Sequence, residues 1–173
     1  MKEIQIEKIA YQWNNPYGIW VVLKEKRKKR LIPICIGQFE GMAILRGLEN
    51  TPQPRPWTHD LLAATLEALG VEVKHIVLTK MENNTFYAAI VVESHGSIRR
   101  IDARPSDALA LAVLKKVPIM AEEELLGMDS KAKPQNGEKV EIVVPSLVTL
   151  WPVESKVPPK PVKKRRKKID KRA

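Results

Sequence analysis

Residues 85–114, TFYAAIVVESHGSIRRIDARPSDALALAVL, hold the pattern that decides the fold of this chain. The apolar run Thr85 to Val92 is typical of a central strand that is covered on both faces. A short turn then leads into a second strand, Ile98 to Asp102. Pro105 suits the first position of a helix, and Ala108 to Leu114 is apolar almost all round. The stretch therefore predicts two strands joined by a turn and followed by a buried helix.

An earlier stretch of the chain can be laid over this one. Residues 36–44, IGQFEGMAI, align with residues 103–111, ARPSDALAL, and each follows a predicted hairpin. Each stretch places an acid, Glu40 or Asp107, just before a small residue and at the start of a predicted helix. The match is compatible with a strand–strand–helix duplication, although short apolar helices also align by chance.

Other segments show the same alternation of strand-like and helix-like patterns. Leucines recur at helical spacing after Thr58, a predicted N-cap, and Gly70 ends that helix. Cys35 lies within an apolar strand and is predicted to be a small core residue. Together these patterns predict an α+β domain with a mostly antiparallel sheet and helices packed on it. The further predicted strands are Glu3 to Ala10, Ile19 to Leu23, Leu31 to Ile36, Val71 to Thr79 and Val140 to Leu150, and the further helices are Gln38 to Glu49 and Ala121 to Leu126.

The net charge of +10 is divided unevenly along the chain. Residues 154–173 carry ten Lys and Arg against two acids, a net of +8, whereas residues 1–153 carry +2. Prolines and a run of like charges keep such a segment extended, so we expect a disordered Pro/Lys/Arg-rich tail there. We therefore divide the chain into a domain at 1–127, a loop and edge strand at 128–153 that packs on the domain, and the tail at 154–173.

The tail and one turn of the body are candidates for phosphate contact. A run of basic side chains attracts nucleic-acid phosphates by releasing condensed counterions. The alternative for the tail is a solubilising segment without a fixed partner. A second basic cluster, Lys24 to Arg30, stands at the tip of a predicted hairpin, where it either faces an anionic partner or forms a solvated turn. The tail residues that we place at phosphate are Lys163, Lys164, Arg165 and Arg166.

Several classes of protein are excluded by what the sequence lacks. It has no glycine-rich phosphate loop, no His-Glu-x-x-His and no Gly-x-Ser-x-Gly, and its single cysteine allows no intrachain disulfide. These absences exclude P-loop nucleotide hydrolysis and zincin proteolysis. No apolar run reaches the roughly 18 residues of a membrane span, and residues 1–5 lack the apolar core of a signal peptide. We therefore expect a cytoplasmic protein without a membrane partner.

Two polar segments combine Arg-Pro, a hydroxyl residue and an acid at a predicted helix start. They are residues 55–60, RPWTHD, and residues 102–107, DARPSD. Capping by the hydroxyls and the favourable interaction of the acids with the helix dipole explain part of this pattern. Capping does not explain His59, Asp102 or Arg104, which makes both segments candidate functional sites.

If the fold brings these segments together, their side chains suit phosphodiester hydrolysis. Carboxylate oxygens are the ligands that Mg²⁺ and Mn²⁺ prefer, and two such ions can bind the attacking and leaving oxygens. His59 could carry a proton, and Arg55 and Arg104 could each bind phosphate through two hydrogen bonds. The predicted metal ligands are Glu40, Asp60, Asp102 and Asp107, and the predicted catalytic residues are His59, Asp60, Asp102 and Asp107.

With these segments in view, the chain resembles the bifunctional nuclease family. The resemblance spans Glu3 to Leu126, and it implies a compact α+β fold and an activity that some members show on both RNA and DNA. It assigns no catalytic residue, so the site above is inferred at the matching positions. The stretches that carry the resemblance, in the family's order, are residues 31–37 with Glu40, residues 55–62, residues 83–88 and residues 102–108.

The leading hypothesis is therefore a metal-assisted nuclease that cleaves RNA or DNA with little sequence preference. Two alternatives stay open. The chain could bind nucleic acid or the ribosome without catalysis, with the Asp and Arg residues forming a structural network. It could instead be a protein-interaction module that assembles as a homo-oligomer through an edge strand such as Val140 to Leu150.

Overall fold

The computed structural model describes residues 1–11, 18–28 and 30–127. These residues form one seven-stranded sheet, three α-helices and a 3₁₀ helix, which confirms the α+β prediction. The strands are β1 (Lys2–Tyr11), β2 (Gly18–Glu25), β3 (Leu31–Gly37), β4 (Glu72–Glu82), β5 (Thr85–Ser94), β6 (Ser97–Ala103) and β7 (Ile119–Ala121). The helices are α1 (Gln38–Glu49), α2 (Thr58–Ala68) and α3 (Pro105–Lys115), and the 3₁₀ helix is Glu123–Gly127.

The strand order across the sheet is β3-β2-β1-β7-β4-β5-β6. Neighbouring strands are antiparallel except β7 and β4, which run parallel. The sheet is therefore mixed, and the prediction of a mostly antiparallel sheet is wrong in this respect. The physical reason is that α3 carries the chain back to the middle of the sheet. The strand that follows it, β7, can therefore run parallel to β4.

The sheet consists of two similar halves. β1, β2 and β3 form an antiparallel meander that leads into α1, and β4, β5 and β6 form a second meander that leads into α3. β7 lies between β1 and β4 and joins the two halves. Each half thus has one strand more than the predicted strand–strand–helix unit, and α1 and α3 begin at equivalent places in the topology.

One continuous apolar core holds the sheet and the helices together. Along β3 the residues Ile32, Ile34 and Ile36 are buried, because alternate side chains of a strand point to the same face. Cys35 therefore points the other way and is exposed, so its predicted place in the core is wrong. β5 is buried on both faces over residues 88–92, which confirms that prediction.

The helices begin close to where the sequence places them. Pro105 is the first residue of α3, and this helix is buried over residues 108–112, both as predicted. α2 begins at Thr58, but its N-cap is Trp57, so Thr58 is not the cap. α1 and α3 pack against each other, and a Cβ at Gly47 of α1 would stand only 2.8 Å from Val113 Cγ1 of α3. A glycine at this position allows the two helices to approach.

Two of the predictions lie outside the described residues, namely the edge strand at Val140 to Leu150 and the tail at 154–173. A third is only partly right. Where the sequence predicts a short helix at Ala121 to Leu126, the structure has the end of β7 followed by a 3₁₀ helix.

Candidate active site

The first turns of α1, α2 and α3 meet in space. Glu40 lies in the first turn of α1, His59 in that of α2 and Asp107 in that of α3. α1 and α3 follow directly on the last strands of the two halves and pack together, and α2 packs against α3. The partial positive charge at the start of each helix stabilises nearby carboxylates. The fold therefore brings together Glu40, His59 and Asp107, with Arg104 between them.

Arg104 connects the two halves through its guanidinium group. Its Nε donates a 2.7 Å hydrogen bond to Asp107 Oδ2, and its Nη2 donates one of 3.0 Å to Asp107 Oδ1. The same Nη2 lies 3.0 Å from Oε1 of Glu40. One arginine thus bridges the acids at the two matching helix starts, while 67% of its side chain stays exposed to solvent.

His59 reaches Asp107 from α2. Its Nε2 lies 3.2 Å from Asp107 Oδ1, and only 12% of its side chain is exposed. Burial would raise the pKa of Asp107, but hydrogen bonds with Arg104 and His59 outweigh burial and hold that pKa below its ordinary 3.8. An ionised carboxylate only accepts hydrogen bonds, so the proton on His59 Nε2 faces Asp107. In the neutral ring, Nδ1 is then the nitrogen that can accept a proton.

Asp60 holds the start of α2 in place. Its Oδ1 accepts a 2.5 Å hydrogen bond from Nη2 of the buried Arg46 of α1, and its Oδ2 accepts one of 2.8 Å from the backbone N–H of Trp57. Burial opposes ionisation, but these bonds keep the pKa of Asp60 below its ordinary value. The contacts join α1 to α2 and thereby keep His59 beside Asp107.

Sequence reasoning missed Arg46. Its side chain is 7% exposed, its guanidinium lies 5.1 Å from the centre of the Trp57 ring, and its Nε has no hydrogen-bond partner among the described residues. The sequence signal that could have revealed Arg46 is a charged residue on the buried side of an amphipathic helix, between Leu45 and Gly47. Such a charge needs a partner, because burying it unpaired is costly.

Two other predicted site residues lie apart from this cluster. Asp102 stands on β6 opposite Ala89, whose side chain belongs to a separate small apolar cluster. Its side chain therefore points to a different face of the sheet from the main core, away from Asp107. Arg55 is exposed in the segment before α2 and forms no ion pair with another described residue.

The carboxylates do not converge as a set of metal ligands. Asp60 binds Arg46, Asp102 faces away, and the Arg104 guanidinium is the cation shared by Glu40 and Asp107. Within the described ranges, no group of three or more His, Cys, Asp or Glu side chains is placed to hold a metal ion. These residues do not fit the two-metal arrangement, and a requirement for Mg²⁺ or Mn²⁺ stays a prediction.

The basic turn between β2 and β3 forms ion pairs within the fold. Arg30 is the least exposed of its described cations, with Nε 2.7 Å from Glu25 Oε2. The pairing fixes the cations that flank the turn, whereas Arg27 and Lys28 at its tip are exposed, and contact with an anionic partner stays a prediction. The predicted phosphate-binding residues Lys163, Lys164, Arg165 and Arg166 lie outside the described residues. The ion pairs of the turn are Lys24 with Glu7, Lys26 with Glu3, and Arg30 with Glu25 and Glu123.

Several known proteins are similar in sequence to this chain over most of the described domain. Residues 21–133 match the bifunctional nuclease domain. The chain is 34% identical over 119 residues to an uncharacterized protein of Mycobacterium tuberculosis, which covers 69% of this chain and 71% of that protein. It is 26% identical over 113 residues to Bifunctional nuclease 1 of Oryza sativa subsp. indica, and 24% over 126 residues to Bifunctional nuclease 1 of Arabidopsis thaliana.

The molecule is thus an α+β domain whose paired helix starts enclose a His–Asp–Arg cluster. The chain belongs to the bifunctional nuclease domain family, as its resemblance at the sequence level implies. The two alignments with the plant nucleases cover 64% and 71% of this chain but only 34% and 39% of those proteins. Among the described residues, none of the helices is long and apolar enough to span a membrane.

Proposed function

We propose that the chain is a nuclease that hydrolyses phosphodiester bonds in RNA, DNA or both, with little sequence preference, in the cytoplasm. The observation that carries the proposal is the contact of His59 with Asp107, an acid that Arg104 also binds. A histidine oriented by an ionised carboxylate beside an exposed arginine combines a proton carrier with a phosphate-binding group. Membership of the bifunctional nuclease domain family supports the same class of substrate.

Each residue of the cluster has a role in this proposal. With Nε2 facing Asp107, Nδ1 of His59 takes a proton from the attacking water. The water oxygen bonds to phosphorus as the bond to the leaving oxygen breaks, and the imidazolium returns the proton to that oxygen. Asp107 stabilises the imidazolium, and the exposed guanidinium of Arg104 stabilises the charge on the phosphate. Glu40 keeps Arg104 in position.

The test is cleavage of end-labelled single-stranded RNA and DNA by purified protein in the presence of Mg²⁺, Mn²⁺ or EDTA. His59→Gln keeps a polar side chain but removes the proton carrier, so we expect the rate to fall about 100- to 10,000-fold. His75→Gln is the matched control, because His75 lies on β4 opposite Val91 and outside the cluster. Both variants are purified in parallel, which exposes any contaminating nuclease.

The outcomes separate the hypotheses. Undiminished cleavage by the His59→Gln protein would contradict the assigned site. Cleavage that persists in EDTA would contradict the predicted need for Mg²⁺ or Mn²⁺, and cleavage lost in EDTA would support it. Absence of cleavage combined with tight, salt-sensitive binding would favour a nucleic-acid-binding or ribosome-associated protein without catalysis.

A second candidate function, a homo-oligomeric interaction module, is favoured by the apolar surface of α2. Leu61 of this helix is 61% exposed, and Leu69, its C-cap residue, is 65% exposed. Exposed apolar patches on soluble proteins often mark sites of association. Light scattering of the full chain tests this candidate, since a monomer at all concentrations would contradict it.

A further inference from the structure

The start of α3 has two backbone N–H groups without acceptors. Its first residue, Pro105, has no N–H, and the N–H of Ala108 bonds to the carbonyl oxygen of Arg104. The N–H groups of Ser106 and Asp107 remain, and neither meets a backbone or side-chain acceptor among the described residues. Free N–H groups and the positive end of the helix dipole favour an anion at such a place.

A buried hydroxyl group stands beside these N–H groups. Ser106 is 6% exposed, and its side chain forms no hydrogen bond with another described residue. Within the described ranges, Arg46 Nε is the one fully enclosed side-chain polar atom without a partner, so the Ser106 oxygen is not sealed in the core. Ser106 lines a cavity of about 560 Å³. Because buried polar groups normally have hydrogen-bond partners, this hydroxyl is available to a ligand in the cavity.

The starts of the other two described α-helices already hold a carboxylate. In all three helices the third residue is an acid, namely Glu40, Asp60 or Asp107. Asp60 accepts the backbone N–H of its own N-cap residue, and Glu40 folds back over the residue that precedes α1. Asp107 instead contacts the side chains of Arg104 and His59. The start of α3 is therefore the one whose own acid is engaged elsewhere.

Arg104 supplies positive charge to the same cavity. A guanidinium group has five N–H donors, and the contacts of Arg104 with Asp107 and Glu40 use only Nε and Nη2. Both N–H groups of Nη1 therefore stay free of the described residues. The two carboxylates oppose an anion, but the charge of Arg104 and about half a positive charge at each helix start balance them. The cluster is thus close to neutral, and the free N–H and O–H donors favour an anion.

We propose that Ser106 and the two free N–H groups of α3 bind a phosphate group of the nucleic acid beside Arg104, an inference that rests on the proposed nuclease function. The three donors belong to one helix start and point at a single anion, as at other phosphate-binding helix N-termini. The phosphate then lies at the cation that contacts Asp107, the acid that also contacts His59. Backbone and hydroxyl donors contact phosphate without reading the base, which agrees with little sequence preference.

The test follows backbone amide signals by NMR while inorganic phosphate is added, with chloride at matched ionic strength as the control. We expect saturating shifts that are largest at Ser106 and Asp107. The corresponding amides of α1, those of Phe39 and Glu40, should shift less, because the Glu40 carboxylate covers that helix start. Larger shifts at α1 than at α3, or no saturating shift, would overturn the proposal.

Ser106→Ala separates ligand binding from a structural role. It removes a hydroxyl without a partner in the fold, so the free energy of unfolding in urea without phosphate should stay unchanged or rise slightly. Phosphate affinity should nevertheless fall roughly 10- to 100-fold, because a hydrogen bond to a charged group is lost. Ser97→Ala, at an exposed serine of β6, is the matched control and should change neither quantity. Unchanged affinity in the Ser106→Ala protein, or a marked loss of its stability, would contradict the assigned role.

A trinucleotide without terminal phosphates distinguishes a nucleic-acid strand from free phosphate. It is added to the His59→Gln protein, which should not cleave it. A lower Kd for the trinucleotide than for phosphate, with the same amides shifted, supports a strand. An equal or higher Kd assigns the site to free phosphate and contradicts the proposed source.

The outcomes also separate this proposal from the nuclease function. Wild-type cleavage that Ser106→Ala leaves unchanged, with no amide shift at α3, would remove the phosphate site and leave the nuclease proposal standing. Shifts at Ser106 in a protein that never cleaves would keep the site and remove the nuclease proposal. If both proposals hold, Ser106→Ala should raise KM for RNA more than it lowers kcat, since it removes a contact made before the reaction.

Discussion

The two halves of the molecule end in the same way but differ in the residue that precedes the helix. In the first half Gly37 precedes α1, and in the second half Arg104 precedes α3. A Cβ at position 37 would collide with Oε2 of Glu40. The glycine leaves room for Glu40 to fold back over the start of α1, and the arginine of the other half reaches across to bind it.

This difference shows how a repeated architecture produces an asymmetric site. Each half offers an acid, Glu40 or Asp107, to the positive end of its helix. Only the second half provides the bridging Arg104. Only α2 provides His59, and in the second half β7 follows the helix instead. The site therefore depends on how the two halves and α2 pack together, and not on either half alone.

The largest effect on stability is expected in the core of the second half. Leu109 of α3 is 0% exposed, and Leu109→Ala leaves a cavity among the packed helices and strands. We expect the free energy of unfolding in urea to fall by about 2–5 kcal/mol. Leu61→Ala in α2 is the control, and it should change stability by less than about 0.5 kcal/mol. Equal effects at the two positions would contradict the central place of α3.

A smaller effect is expected at the matching position of the first half. Gly41 corresponds to Ala108, but a Cβ at position 41 would collide with Cδ1 of Ile19. Gly41→Ala should therefore destabilise by about 1–3 kcal/mol, although alanine favours a helix over glycine by about 1 kcal/mol. Ile19→Val removes the colliding methyl group, so the double variant should recover part of the loss in urea unfolding. A stabilised Gly41→Ala protein would show that α1 does not pack closely on β2.

The smallest effect is expected on the stability of the protein at acidic pH. Burial raises the pKa of Asp107, but Arg104 and His59 hold it below 3.8. A carboxyl with a lowered folded-state pKa stabilises the protein above its unfolded pKa, and this contribution disappears as the pH falls through the folded pKa. Arg104→Gln should raise the pKa of Asp107 in an NMR titration, so that this carboxyl contributes less stability at neutral pH and loses its contribution over a narrower range of acidic pH.

Asp60 provides the internal control for that titration. Its lowered pKa results from hydrogen bonds with Arg46 and the Trp57 backbone, which outweigh its burial. Arg104→Gln should leave it unchanged. If the pKa of Asp60 rises as well, the substitution has disturbed the packing of α2 rather than one hydrogen bond.

The sequence predicts local structure well where neighbouring residues decide it. The pattern around β5, β6 and α3 depends on apolar spacing and on Pro105, and the structure has these elements. The three-residue strand β7 was beyond such reasoning, because its partners β1 and β4 are distant in the chain. The exposure of Cys35 was missed because β3 is apolar at its neighbouring positions, and only the direction of the pleat separates them.

By itself, the sequence determined the strands β1 to β6, the three α-helices and the acids at two matching helix starts, since these depend on periodicity over a few residues. Only the tertiary structure decided that His59 meets Asp107 across 48 positions of chain, with Arg104 beside them. The tertiary structure also directs Asp102 to another face of the sheet and pairs Asp60 with Arg46. The physical reason is that side-chain direction and helix packing, not spacing along the chain, set which charges come within bonding distance.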